Sequence, residues 1–183
     1  MSRLVPALAA LALAAGIALA ASPDTHFERA GQAWGAGDRD RALKEYDAAL
    51  QTGGESAVIR HNRAILFLEL NDAATARDEA RRAVDLAPKE GRYRTTLAAA
   101  WMAGAKPENR KAKGILKGAV RLLGAARDHV GLARAYYNLG LVARRLGDLD
   151  EARRDLRLAL DHDPANEAVK VALESLETKP AGR

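Results

Sequence analysis

Small and apolar residues in this chain fall at helical steps, and one arrangement of them returns at a fixed interval. The pattern is clearest from Ala133. With that residue as position 1, Tyr136 stands at 4, Leu139 at 7, Gly140 at 8 and Ala143 at 11. Ala152, Leu156 and Ala159 follow at 20, 24 and 27, and Pro164 at 32. Steps of three and four place such residues on one helix face. Small side chains at 8, 20 and 27 let two antiparallel helices approach closely, while larger ones at 4, 7 and 24 fill the space between them. Gly147-Asp148 suits a tight turn. Pro164 cannot continue the second helix, because it lacks an N–H and clashes with the preceding turn. The pattern predicts a helix pair, and no strand is predicted anywhere in the chain.

This helix–turn–helix unit resembles the tetratricopeptide repeat, or TPR, whose period is about 34 residues. Upstream frames begin at Ala57 and Pro23, 34 residues apart. The first puts Ala64, Phe67, Ala76, Ala80, Ala83 and Pro88 at 8, 11, 20, 24, 27 and 32, with Asn71-Asp72 at the turn. The second puts Ala30, Ala33, Ala42, Tyr46 and Ala49 at 8, 11, 20, 24 and 27, with Gly37-Asp38 at the turn and Gly53-Gly54 at the end. Position 7 is Arg29 and Arg63 in these units, and position 4 is His26 and Arg60. The arginine stems are expected to cover apolar surface with their charge in water.

Ala57 to Ala133 spans 76 residues, so one further unit fits if it carries eight extra residues. Its first half keeps the upstream frame (Leu97, Ala98, Trp101) and its second half the downstream frame (Gly118, Leu122, Ala125). The surplus is then expected near Gly104–Lys113, around Pro107. Ala168, Val169, Ala172, Leu173 and Leu176 share one helix face, as the end piece of a repeat array must. The expected fold is all-α: a right-handed α-solenoid of TPR hairpins with a C-terminal capping helix. Its units are 21–56, 57–90, 91–132 (degenerate) and 133–166, followed by a cap at 167–178 and a tail at 179–183.

Residues 1–20 read as an export signal: Arg3 at the start, an apolar run Leu4–Leu19, and Ala18-Leu19-Ala20 as a small-x-small cleavage pattern. That run barely reaches the length needed to span a bilayer and is broken by Pro6 and Gly16. The expected location is periplasmic or secreted, with no stable membrane insertion after cleavage. Of 183 residues none is cysteine, which excludes a disulfide framework, thiol chemistry and a lipid anchor at the cleavage point. Aromatics make up only 4%, so alanine carries much of the apolar content and close helix packing is favoured. Between Arg92 and Arg157 there are 15 Lys/Arg against 6 Asp/Glu, a local excess that suits an acidic partner segment or an anionic surface.

Little in the chain points to catalysis. His26, His61, His129 and His162 lie in different units and form no metal-binding pair at helical spacing. Asp161-His162-Asp163 falls at a helix end before proline, where polar residues are ordinary. Glu79 with Arg82, and Asp150 with Arg153, read as helix-face ion pairs. The basic region from Lys106 to Arg134 contains no aromatic platform, so nucleic acid is not an expected partner. No cofactor is expected.

The TPR resemblance implies a concave groove lined by first helices that receives a protein segment. The family's groove-facing positions here hold Phe27, Trp34, His61, Asn62, Ile65, Leu68, Arg92, Thr95, Met102, Arg134, Tyr137, Asn138, Leu141, Arg144 and Arg145. The residues assigned to partner binding are Tyr137, Asn138, Arg144, Leu141, Arg134, Asn62, His61 and Arg92. An asparagine amide can donate and accept together toward a partner backbone. Members that grip a C-terminal carboxylate place lysine and asparagine where this chain has Phe27 and Gly31, and a basic residue where it has Thr96. A chaperone-tail clamp is therefore not expected. Residues around Gly37–Asn62 also resemble, more distantly, the repeat segment of bacterial aerotolerance-type proteins. The expected function is a non-enzymatic scaffold or adaptor binding a protein or peptide segment, acidic by charge, in the bacterial envelope. The alternatives are an accessory subunit of an envelope assembly or membrane complex, and a helical hydrolase or metal-binding protein.

Overall fold

The computed structural model describes residues 22–177, so the expected export signal at 1–20 and the last six residues lie outside it. Among the described residues there are nine helices and no strand. They run α1 (Pro23–Gly35), α2 (Arg39–Gly53), α3 (Ala57–Glu69), α4 (Ala73–Leu86), α5 (Gly91–Met102), α6 (Asn109–Ala125), α7 (His129–Leu146), α8 (Leu149–His162) and α9 (Glu167–Glu177). The chain divides into two compact units, one ending at Glu55 and the other beginning at Ser56.

The first unit is the α1–α2 hairpin. Ser22 caps α1, its hydroxyl accepting from the Thr25 N–H at 3.2 Å, and Pro23 occupies the opening position where a missing N–H costs nothing. Ala30, Ala33, Ala42, Tyr46 and Ala49 are buried between the helices. Phe27 lays its ring 5.8 Å from that of Tyr46, so it fills the hairpin.

The second unit pairs α3 with α4, α5 with α6 and α7 with α8, and ends in α9. One turn design recurs through both units. A residue with positive φ (Gly37, Asn71, Arg127, Gly147) precedes an aspartate. That aspartate's carboxylate accepts a backbone N–H three residues on, at 3.0 or 3.1 Å. The αL residue ends one helix while the aspartate caps the next. Three of these turns join the two helices of a pair. The Arg127-Asp128 turn instead joins α6 to α7.

The eight-residue surplus is not gathered near Gly104–Lys113, as the sequence suggested. Its placement follows from which residues of α6 are buried: Ala112, Leu116, Ala119 and Leu123, while Ala125 is exposed and Gly118 and Leu122 are half-buried. The frame through Gly118, Leu122 and Ala125 is therefore out of register. Small residues that pair across the other hairpins lie 12 apart, as in Ala64 and Ala76 or Gly140 and Ala152, whereas here Ala98 and Ala112 lie 14 apart. Two extra residues thus sit in the 103–108 turn. The remaining six lengthen the end of α6 and the start of α7, which begins four residues before Ala133. Adjacent residues such as Leu122 and Leu123 satisfy a helical period almost equally. Leu123 is selected because a Cβ on Gly91 or on Gly131 would approach it to 2.5 Å: two glycines leave it room.

The core of this unit continues through Leu132, Ala135, Leu139 and Val142. At the end, Val169, Ala172 and Leu176 of α9 cover Ala143, Ala152, Leu156 and Ala159. Arg60 and Arg63 correct a second expectation. They do not hold their charge in water: they are 9% exposed, as Glu79 is 7%. Arg60 donates to both Glu79 oxygens at 3.0 and 3.1 Å, and Arg63 Nε lies 3.2 Å from one of them. Glu79 thus ties α4 to α3 in place of a surface pair with Arg82. The Asp150–Arg153 pair does form, at 2.9 Å.

Candidate functional site

Three of the residues assigned to partner binding converge from three different first helices. His61 on α3, Arg92 on α5 and Arg134 on α7 line a cavity of about 110 Å³ together with Thr95, Val130 and Gly131. The α5 backbone supplies one wall, because Thr95 is turned inward and its hydroxyl donates to the Gly91 carbonyl at 3.2 Å. Gly131 supplies the other, where the Asp128 cap brings the start of α7 close.

The electrostatics of this cavity are uneven. Arg92 donates a two-pronged hydrogen bond to Asp128, which holds that carboxyl below its usual range. Arg134 is exposed and forms no ion pair or hydrogen bond with a described residue. His61 stacks on Tyr93, ring centroids 4.7 Å apart, and its Nδ1 is buried with no hydrogen-bond partner. Burial, then the charges of Arg134 and Arg92, lower its pKa from 6.5 to about 4. At neutral pH the imidazole is therefore uncharged, and Arg134 is the unbalanced charge of the cavity. Val130, 70% exposed, adds an apolar surface at the rim.

The other assigned residues lie elsewhere on the same helices. Tyr137 packs against the α8–α9 cluster, and Arg144 donates to the Ser175 hydroxyl of α9 at 3.4 Å. Leu141 packs against the α5–α7 core. Asn138 is half-buried, and its amide makes no hydrogen bond with a described residue. Asn62 is half-buried on α3 and does have an interaction partner. Met102 belongs to the core instead of a groove, and Arg145 donates to its carbonyl at 2.8 Å, bracing α7 against α5. Val130 and Tyr93 were missed. A frame starting at Ala133 omits the first turn of α7, although Arg127-Asp128 repeats the turn-and-cap signal of Asn71-Asp72 and marks that earlier start.

Among the described residues, no group of three His, Asp or Glu side chains is placed to hold a metal ion, and no helix is long and apolar enough to cross a membrane. His162 lies with its Nδ1 3.1 Å from that of His129 and stacks on Tyr136, so it joins α8 to α7.

Comparison with known proteins places this arrangement. Residues 133–166 match the family described as tetratricopeptide repeat. No curated protein matches the chain. Among solved structures it is similar to TTC0263, a thermophilic TPR protein in Thermus thermophilus, with TM-score 0.72 and 22% identity over 85% of this chain and 81% of that one. It is similar to PilF of Pseudomonas aeruginosa, with TM-score 0.73 and 18% identity over 84% and 67% of the two chains. It also resembles the first TPR of Spaghetti (RPAP3) bound to the HSP90 peptide SRMEEVD, with TM-score 0.58 and 20% identity over 66% and 92%. The fold is thus the all-α helical-repeat solenoid of TPR proteins, which are in general non-catalytic scaffolds for protein–protein interaction.

Proposed function

We propose that this chain is a non-enzymatic adaptor that holds an acidic protein segment against the first helices of the unit beginning at Ser56. The observation that carries the reading is the cavity shared by His61, Arg92 and Arg134, three residues from separate repeats around one small space with an unbalanced guanidinium. A guanidinium free of internal partners is suited to a carboxylate, which it can meet with two parallel hydrogen bonds. The neighbouring Val130 offers the apolar contact that interface hot spots combine with charge. The Spaghetti repeat, similar in fold, is bound to a peptide containing two consecutive glutamates. Asn138, one turn along α7 from Arg134, extends the surface with an amide suited to a peptide backbone.

Arg134 and Val130 are exposed, so both can be changed with little cost to the fold. Partners crosslinked to the tagged chain in its own cells are identified first, and their binding is then measured with purified components. Arg134→Glu combined with Val130→Ser should abolish binding while the melting temperature stays unchanged; undiminished binding overturns the site. We place the mature chain in the bacterial envelope, on the strength of Arg3, the Leu4–Leu19 run and Ala18-Leu19-Ala20. Fractionation of cells bearing a C-terminally tagged chain tests this. A shortened periplasmic product is expected, and full-length protein confined to the cytosol refutes it.

A further inference from the structure

A second surface lies on the layer of second helices, away from the cavity of His61. Between α4 and α6, floored by α5, is a trough of about 380 Å³. Its floor is apolar: Leu97, Trp101 and Ile115. Its walls carry Arg77 and Arg81 from α4 and Lys111 from α6, against one carboxylate, Asp78. The Arg77 guanidinium carbon lies 4.6 Å from the Trp101 ring centroid, and the Lys111 ammonium 3.3 Å from it. Both cations are drawn to the negative face of the indole. Two like charges held against one ring repel each other, and neither they nor Arg81 form an ion pair with any described residue.

The next repeat shows how such a trough is satisfied. Between α6 and α8, over Tyr136 and Leu139 of α7, lies a second one of about 360 Å³. There Glu151 of α8 pairs with Lys113 and, at 3.9 Å, with Lys117, while Asp155 lies 3.5 Å from Arg154. In the first trough α6 stands where α8 stands in the second, and because Ala112 corresponds to Ala152, Lys111 occupies the place of Glu151 and Ile115 that of Asp155. The later trough thus sets two of the chain's own carboxylates against its cations, where the earlier one has a lysine and an isoleucine at those places. We infer that the trough of Arg77, Arg81, Lys111 and Trp101 is a docking site for an acidic peptide segment of a partner protein, whose carboxylates meet Arg77, Arg81 and Lys111 and whose apolar side chains rest on Trp101. A peptide is favoured over an anionic membrane by the shape. The apolar residues are recessed, and none of the exposed large hydrophobic side chains belongs to this surface. A membrane-docking face needs protruding ones. This site is independent of the first-helix cavity and gives the adaptor two faces.

The test uses the full mature chain and a short, capped, fluorescently labelled peptide of Glu-Leu-Glu repeats, with a Gln-Leu-Gln peptide as the uncharged control. Binding is read by fluorescence anisotropy. Arg81 and Lys111 are exposed, so Arg81→Glu with Lys111→Glu should leave the circular dichroism spectrum and melting temperature unchanged. Saturable binding of the acidic peptide alone is expected. It should weaken about tenfold or more in the double variant, as reversal of charges at a binding surface does, and be indifferent to Arg134→Glu. Loss in Arg134→Glu with no loss in the double variant overturns the inference and assigns the peptide to the first-helix cavity. Equal binding of the glutamine peptide, or no binding, also overturns it. So does sedimentation with phosphatidylglycerol vesicles that the double variant abolishes while the peptide fails to bind.

Discussion

Protonation of His61 should govern how stability falls in mild acid. Its imidazole lies against Tyr93 with Nδ1 buried and unpartnered, and Arg92 and Arg134 face it from α5 and α7. Its pKa is about 4 when folded against an ordinary 6.5. Below pH 6.5 the unfolded chain takes up this proton while the folded chain does not. Stability therefore rises with pH across the window and is lost as pH falls from 6.5 toward 4. At about 1.4 kcal/mol per unit, the loss is about 3 kcal/mol. Replacement by glutamine, which does not titrate, should remove that slope while retaining a polar side chain. Urea denaturation of both proteins at pH steps through the window measures it. Asp155, whose carboxyl burial pushes up, contributes with the opposite sign, but in both proteins alike, so the difference between the two curves isolates His61. Parallel curves would refute the reasoning, because they would mean the imidazole is as easily protonated folded as unfolded.

Four further outcomes follow from the packing. Glu79→Ala leaves two buried guanidiniums without their shared carboxylate and should cost about 3–5 kcal/mol in denaturant melts; a cost below about 1 kcal/mol, the range of surface pairs, would show that the pair is effectively solvated. Gly140→Ala places a Cβ 2.7 Å from Leu156 Cγ and 3.2 Å from the Ala152 carbonyl, so it should destabilise by about 1–3 kcal/mol. Gly118→Ala on α6, whose nearest neighbour is a flexible Arg121 terminus at 3.9 Å, should instead gain up to about 1 kcal/mol. A pair of thermal melts decides both, and equal signs would contradict the helix approach. Arg127 holds φ at +55° in the α6–α7 turn, and Arg127→Gly should stabilise by up to about 1 kcal/mol; a lower melting temperature would show that the arginine side chain contributes more than its backbone strain costs.

Much of the helix pairing was legible because its determinants are local. Small residues four and three apart, a turn residue followed by a capping aspartate, and a proline beyond the last turn all act within a few residues of one another. The same local signal at Arg127-Asp128 was overlooked where it joined two repeats instead of two helices of one. The register of α6 was harder, since Leu122 and Leu123 each continue an apolar stripe. Only the space left by Gly91 and Gly131, on the helices to either side, selects Leu123.

By itself the sequence determined that this chain pairs amphipathic helices in a 34-residue rhythm and closes them with a terminal helix. The tertiary structure alone decided that Arg60 and Arg63 bury their charge on Glu79, that His61, Arg92 and Arg134 share a cavity, and that Tyr137 and Arg144 turn toward α9. Backbone hydrogen bonds and helix faces are set by neighbours in sequence. Which side chains meet across separate repeats depends on the offset between stacked helices, and in this chain the lengthened α6 and α7 change that offset.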